Sequence, residues 1–356
     1  MIKIFSFFSG LGFLDLGFED AGFNIEFVNE KNKDFLDCYK YARRNQNKIP
    51  QYGYYCESTT NLLDDNIWYD IFGKLNLRQI GFIGGPPCPD FSVAGKNKGF
   101  SGINGQLTTD YINLIIKRQP AFFLFENVKG LYRTQKHRNY YEILKQKLKP
   151  HYTLFDGIVN SLEYGVPQYR DRLFLIGFHK EIFRDCCNFH FGKHKKYKLN
   201  QILSLPWPEK EKFNENSTVA SPNNIVKDLT VKYWFDKNDV IKHANSQDYF
   251  NVKKIDRFTN VSEGDVSKKS FKRLHRWRFS PTAAYGNNEV HLHPYKLRRL
   301  SVAEALAIQS LPKWFELPTN KSLSSKFKMV GNGVPYLLAL GIAKDIKEFI
   351  NRMDIE

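Results

Sequence analysis

Over its first 180 residues the sequence alternates short apolar runs with longer amphipathic stretches, and this rhythm constrains the fold more than any other feature. Ile2–Phe8 reads as a buried strand, Leu14–Ala21 as a helix, Ile25–Val28 as a second strand and Asp34–Asn45 as a helix. Ile80–Ile83 follows as a strand, Tyr111–Lys117 as a helix, Ala121–Phe125 as a strand and Tyr140–Leu148 as a helix. Two more strands are expected at Asp156–Val159 and Leu173–Gly177. Strand and helix taking turns predict an α/β fold, with a parallel sheet covered on both faces.

The rhythm then breaks. From about His190 to Lys296 the chain is polar and rich in lysine and asparagine, with only weak strand signals, yet Trp207, Trp234 and Trp277 give it material for a core. Helical periodicity returns at Val302–Gln309 and Val334–Ile350. At 356 residues the chain exceeds one ordinary domain of roughly 100–200 residues. The expected organisation is a large α/β domain over 1–188, completed by 321–356, with a smaller, mostly irregular or β domain over 189–320.

Composition removes several classes. With 42% hydrophobic residues the chain can bury a core, which excludes wholesale disorder. No run approaches the roughly 18 apolar residues that cross a bilayer, so no membrane partner is expected. Met1–Leu14 has the outline of a signal peptide, but Asp15, Glu19 and Asp20 follow at once and no small-residue cleavage site does. Five cysteines without C-x-x-C spacing suit neither a disulfide framework nor a zinc site, so a reduced, cytoplasmic chain without a metal is expected. The net charge of +16 favours a polyanionic partner such as nucleic acid, although solvated lysines of an AT-rich genome would give the same excess.

Four constellations carry chemistry. Phe8-Ser9-Gly10-Leu11-Gly12 joins the first strand to the first helix, where glycines let the backbone approach a ligand. The second strand ends near Glu30, placed for ribose hydroxyls or else a solvated surface acid. Gly84-Gly85-Pro86-Pro87-Cys88-Pro89-Asp90-Phe91-Ser92 follows a buried strand, and Cys88 on so stiff a backbone is a candidate nucleophile; a small buried turn cysteine is the plainer reading. Phe122-Phe123-Leu124-Phe125 runs into Glu126 at a strand end, on the same edge as Cys88, where burial raises a carboxyl pKa and makes a proton donor; a helix cap or surface ion pair is the alternative. In Gln168-Tyr169-Arg170-Asp171-Arg172, alternation puts both arginines on one face, to bind phosphate, orient Glu126, lower a thiol pKa or form a plain ion pair.

Together, and in this order, these residues resemble the cytosine-5 DNA methyltransferase family, of the bacterial restriction-modification type, from end to end. Phe8-Ser9-Gly10-Leu11-Gly12 is similar to its first cofactor motif, Pro86-Pro87-Cys88 to its nucleophile motif and Glu126-Asn127-Val128 to its next catalytic signature. Gln168-x-Arg170-x-Arg172 matches as well. Arg299-Leu300-Ser301-Val302-x-Glu304 with Gln309-Ser310-Leu311-Pro312 resembles the motif that supports the recognition domain, and Gly331-Asn332-Gly333-Val334 the last motif, which returns to the cofactor pocket.

The resemblance implies a Rossmann-like S-adenosylmethionine-dependent methyltransferase domain with a target-recognition domain. Its reaction would transfer a methyl group from S-adenosyl-L-methionine to carbon 5 of a flipped-out cytosine in a short double-stranded DNA site, releasing S-adenosyl-L-homocysteine. Cys88 would attack carbon 6, Glu126 would hold or protonate N3, and Arg170 or Arg172 would favour the thiolate. Phe8, Gly10, Leu11, Gly12, Glu30, Glu57, Pro87, Asn332 and Gly333 would hold the cofactor. Ser92 to Gly105, with Lys96 and Lys98, resembles the loop that closes over the flipped base. Lys193, Lys195, Lys196 and Lys198, and the group Lys272, Arg273, Arg276 and Arg278, suit phosphate contacts.

The chain departs from the family pattern in places: Phe13 stands where a third glycine is common, Pro89 where glutamine follows the nucleophile, and Lys31 where a bulky residue stacks on adenine. The acid facing the adenine amine is Glu57 or, second, Asp70. The implied protein is a cytoplasmic monomer without a long N-terminal regulatory extension, paired with a restriction endonuclease. An RNA (tRNA) cytosine-5 methyltransferase on the same core and a non-enzymatic DNA-binding homologue are the alternatives.

Overall fold

The computed structural model describes residues 2–46, 48–87, 103–184, 188–251, 256–268, 270–283, 285 and 291–353. The strands are β1 (Lys3–Phe7), β2 (Asn24–Asn29), β3 (Tyr54–Tyr55), β4 (Ile80–Gly84), β5 (Phe122–Val128), β6 (Tyr152–Asn160) and β7 (Asp171–His179). They form one sheet in the order β3-β2-β1-β4-β5-β7-β6. Between them run α1 (Phe13–Asp20), α2 (Lys33–Ala42), α3 (Asp65–Phe72), α4 (Ile103–Arg118) and α5 (Gln135–Leu148). The expected elements are present, while β3 and α3 carried too short a run or too little contrast to be read from sequence.

The all-parallel expectation needs correcting. Strands β3, β2, β1, β4 and β5 are parallel, but β7 is antiparallel to both β5 and β6. A turn over Ser161–Tyr164, closed by a capping box between Asn160 and Glu163, sends the chain from β6 back along β7. The N-terminal end of β7 therefore lies at the same edge of the sheet as the C-terminal ends of β1, β4 and β5.

Helices cover both faces. α3, α4 and α5 bury Trp68, Phe72, Tyr111, Ile112 and Leu144 against Phe5, Phe82 and Phe123. On the other face α1 meets α11 (Tyr336–Arg352), where a Cβ on Gly17 would stand 2.6 Å from the Leu340 backbone, so glycine permits the approach. α11, from the far end of the sequence, thus buries Leu338, Ile342 and Ile346 in the same core as β1 and β2.

The small segment is irregular. It holds α6 (Leu199–Leu203), α7 (Val231–Lys237) and α8 (Asp256–Thr259), and β8 (Lys272–Arg273) paired with β9 (His291–Leu292), so short helices outweigh the strand content expected there. Trp207 and Trp234 are buried in separate small cores. α9 (Val302–Ile308) presents Val302, Ala305 and Leu306 to Leu11, Phe13 and Leu16, and Ala303, Ala307 and Ile308 to Val231, Trp234 and Leu274. This helix lies between the two parts. α10 (Leu323–Asn332), which weak periodicity hid, leads from it back to α11.

Candidate active site

The sheet reverses its winding between β1 and β4, and open α/β sheets bind ligands at the carboxyl ends of the strands at such a point. A cleft of about 1850 Å³ lies there, walled on one side by the strand ends and on the other by the small segment. Of the residues expected to hold a cofactor, Phe8, Gly10, Leu11, Glu30, Pro87, Asn332 and Gly333 line it.

The turn after β1 is unusual backbone. Phe8, Gly10 and Gly12 have φ of 53°, 55° and 72°, the left-handed region that favours glycine. A Cβ on Gly10 would meet nothing within 4 Å, leaving the backbone open to the cleft. Gly12 does not line the cleft; its missing Cβ makes room for Tyr39 and Arg43 behind the turn. Glu30 accepts from Gly10 N at 2.9 Å and Asn32 N at 2.8 Å, and burial raises its pKa despite these bonds.

Two expectations about the adenine end change. Glu57 is exposed and is not among the cleft residues; Ser58 and Thr59 line the wall there. Lys31 lines the cleft but is joined by Phe35, a half-buried ring in the first turn of α2, which Asn32 caps. The helix cap Asn32 and the aromatic at its third position were a local signal that could have marked Phe35. Phe13, in the place of a glycine, is buried against Phe315 and fills the space a Cβ on Gly333 would need.

Two of the catalytic candidates, Glu126 and Arg172, meet at the edge shared by β5 and β7. Glu126 Oε1 lies 2.8 Å from Arg172 Nε. Burial pushes the Glu126 pKa up, and Arg172 and Arg170 pull it part of the way back. Glycine at 85 lets this carboxylate lie close to the backbone, since a Cβ there would stand 2.6 Å from Glu126 Oε2. Arg170 has a different occupation from Arg172. Its guanidinium, 1% exposed, donates to the carbonyls of Ala283 (2.9 Å), Gly331 (2.7 Å) and Gly333 (3.1 Å), pinning the last motif to the start of β7. Its donors are thus committed to backbone carbonyls, while its charge still acts on Glu126. Gln168 Nε2 donates to Gln309 at 3.2 Å, which in turn donates to Val330 O, so the middle and C-terminal motifs are one network. Glu304 caps α9 with Ser301 and pairs with Arg298; burial opposes its charge, but His293 and Arg298 hold its pKa far below the usual range.

Cys88, Ser92, Lys96 and Lys98 lie outside the described residues. The end of the glycine-rich stretch, Ile103–Gly105, opens α4.

The expected phosphate contacts divide. Lys272 and Arg278 line the cleft. Arg273 does not: it is fully buried and donates to the carbonyls of Phe258, Val261, His293 and Lys296. Arg276 is buried in a pair with Glu263 at 2.6 Å and also holds Ser217. The reason is the poverty of regular structure, which leaves buried carbonyls without ladder partners, and a guanidinium can satisfy several at once. In the lysine cluster, Lys193, Lys195 and Lys196 pair with Glu348, Glu163 and Asp228.

The cleft also suits a polar, partly aromatic ligand. Ser9 Oγ, Asn127 Nδ2 and Tyr285 OH are buried on its wall without hydrogen-bond partners among the described residues. Buried polar atoms are rarely left so. With the open face of Gly10, Glu30 and the Phe35 ring, they fit a nucleoside carrying a charged amino-acid tail.

Comparison with known proteins gives a consistent result. A family model described as C-5 cytosine-specific DNA methylase matches residues 2–348. The chain is 51% identical over 355 residues to the type II methyltransferase M.NmeDI of Neisseria meningitidis serogroup C, covering 98% of this chain and 84% of that one. It is 31% identical over 358 residues to the type II methyltransferase M.FnuDI of Fusobacterium nucleatum, covering 98% and 94%. Among solved structures, a DNMT2 mutant of Spodoptera frugiperda superposes with a TM-score of 0.62 at 15% identity, over 99% of this chain and all of that one, which speaks to the fold.

Proposed function

Because the chain belongs to the C-5 cytosine-specific DNA methylase family, we propose that its cleft binds S-adenosyl-L-methionine beside a cytosine flipped from duplex DNA and methylates carbon 5. The observation that carries this reading is the Glu126–Arg172 pair, buried at the sheet edge against Gly85, from which the sequence runs through Pro86 and Pro87 to Cys88. Glu30 and the glycine turn would hold the nucleoside part of the cofactor, and Asn332 and Gly333 would close its pocket. When bound, S-adenosylmethionine supplies the methyl group and leaves as S-adenosylhomocysteine.

The protein's own groups do the rest. The Cys88 thiolate adds to carbon 6, and the electron pair displaced makes carbon 5 nucleophilic. Glu126, whose pKa is raised by burial, donates a proton or hydrogen bond to ring N3 and so draws electrons from carbon 6. Arg172 fixes the carboxyl orientation. After methylation a base takes the carbon 5 proton, the double bond re-forms and the carbon–sulfur bond breaks, freeing Cys88.

Lys272 and Arg278, which line the cleft, would contact the DNA; the part over 189–320 would recognise the site, with α9 as its joint to the catalytic part. The relatives are named type II methyltransferases, which supports a modification enzyme; a partner endonuclease is part of this proposal. A cytoplasmic monomer suits that role, and no helix among the described residues is long and apolar enough to cross a membrane.

The test is bisulfite sequencing of plasmid DNA after incubation with the protein and S-adenosylmethionine. Protected cytosines in one short context are expected with the natural protein and none with Cys88→Ser, which should still bind that site. Protection by Cys88→Ser would remove the nucleophile assignment; protection on RNA alone would replace the substrate.

A further inference from the structure

The turn after β1 bends through the left-handed region at Phe8, Gly10 and Gly12 within five residues. Glycine has many backbone shapes open to it, so contacts around the turn decide which one is kept. Behind the turn, the residue that ends α2 supplies such contacts. Arg43 Nη1 donates to the Leu11 carbonyl at 3.2 Å, and Nη2 to the Gly12 carbonyl at 2.5 Å. The guanidinium is 4% exposed, lies 4.0 Å over the Tyr39 ring and pairs with Glu19 at 3.4 Å.

The contacts continue. Tyr39 OH donates to Asp15 Oδ2 at 2.9 Å, and Ser6 Oγ to Asp15 Oδ1 at 2.7 Å. Asp15 is wholly buried and also lines the cleft, and burial pushes its carboxyl up to about 6. The network thus joins β1, the turn, α1 and α2. On the far side of the turn Gly10 N donates to Glu30, so the shape held by Arg43 also sets where that carboxylate stands. One side of the turn is packed, since a Cβ on Gly12 would lie 2.3 Å from the Tyr39 ring, and the other is open.

We propose that Arg43, seated on Tyr39, is a positioning residue for the cofactor: it holds the glycine turn and, through it, Glu30 in the shape that binds the nucleoside of S-adenosylmethionine. This rests on the cofactor reading of the cleft. Arg43 touches neither cofactor nor DNA; it acts through the two carbonyls.

The test is calorimetric binding of S-adenosylhomocysteine to the natural protein, Arg43→Gln and Arg43→Lys, with unfolding temperature, DNA affinity and the KM and kcat for S-adenosylmethionine measured alongside. Hydrogen bonds from a buried charge are worth more than neutral ones, so Arg43→Gln should weaken binding about tenfold or more. KM should rise by the same factor, with kcat and DNA affinity within about twofold. Arg43→Lys, which keeps a charged donor, should recover part of the loss. A folded Arg43→Gln with unchanged affinity overturns the proposal, as does an equal loss of DNA binding and kcat. Should Arg43→Gln not fold, Arg43→Lys decides, because it keeps a buried charge beside Glu19 but gives up the fork that reaches both carbonyls: a several-fold loss supports the role and an unchanged affinity overturns it. A natural protein that binds no S-adenosylhomocysteine would instead overturn the cofactor reading itself.

Discussion

Burial and a guanidinium pull on Glu126 in opposite directions, and the balance sets when it carries a proton. Burial raises its pKa, while Arg172 at 2.8 Å lowers it. Removing Arg172 leaves only Arg170 to oppose burial, so the carboxyl should keep its proton to higher pH. In Arg172→Ala the descending limb of the kcat–pH profile, where Glu126 loses its proton, should move to higher pH. Turnover at its best pH should fall by roughly 10²–10³ through lost orientation, with DNA affinity nearly unchanged. A limb that stays in place would make Arg172 merely structural. Both residues were legible in sequence because each sits in a short motif. What Arg170 does was not, since its partners are carbonyls at Ala283, Gly331 and Gly333, more than a hundred residues away.

At the scale of elements, strands and helices of the large domain followed from hydrophobic period because each buries a face against the sheet. The small segment gave no such period. Its cohesion comes from side chains that take the place of ladders, and Arg273 is the clearest case, with four carbonyls on one guanidinium. A buried carbonyl left unpaired costs about 1–3 kcal/mol, so Arg273→Ala should destabilise the protein by at least about 2 kcal/mol. Chemical denaturation measures this. Lys272→Ala, one residue away but on the cleft, should leave stability within about 0.5 kcal/mol. Equal effects would mean that the two are not differently employed. Neighbours in sequence look alike as basic residues, and only burial separates them.

At the scale of the whole molecule, a charge of +16 invites the inference that cations everywhere help to bind DNA. The structure argues for placement over sum. Lys193 and Lys196 are matched to Glu348 and Asp228, whereas Lys272 and Arg278 line the cleft. Neutralising either pair to glutamine removes the same formal charge. Loss of Lys272 and Arg278 should lower the slope of log affinity against log salt by up to about 2, roughly 0.9 per phosphate contact; loss of Lys193 and Lys196 should change it little. Equal slopes in the two double variants would return the argument to net charge.

The sequence by itself determined the alternating α/β architecture and the identity of the motifs, because hydrophobic period and short motifs are local properties. Tertiary structure alone decided where those motifs meet. The antiparallel course of β7 puts its first residues, not its last, at the catalytic edge, and so sets Arg172 beside Glu126. Strand direction depends on pairing between segments some fifty residues apart, which no local pattern encodes. The same holds for Arg43, Arg170 and Arg273, whose charge was plain in the sequence and whose work was fixed by the carbonyls that folding brought to them.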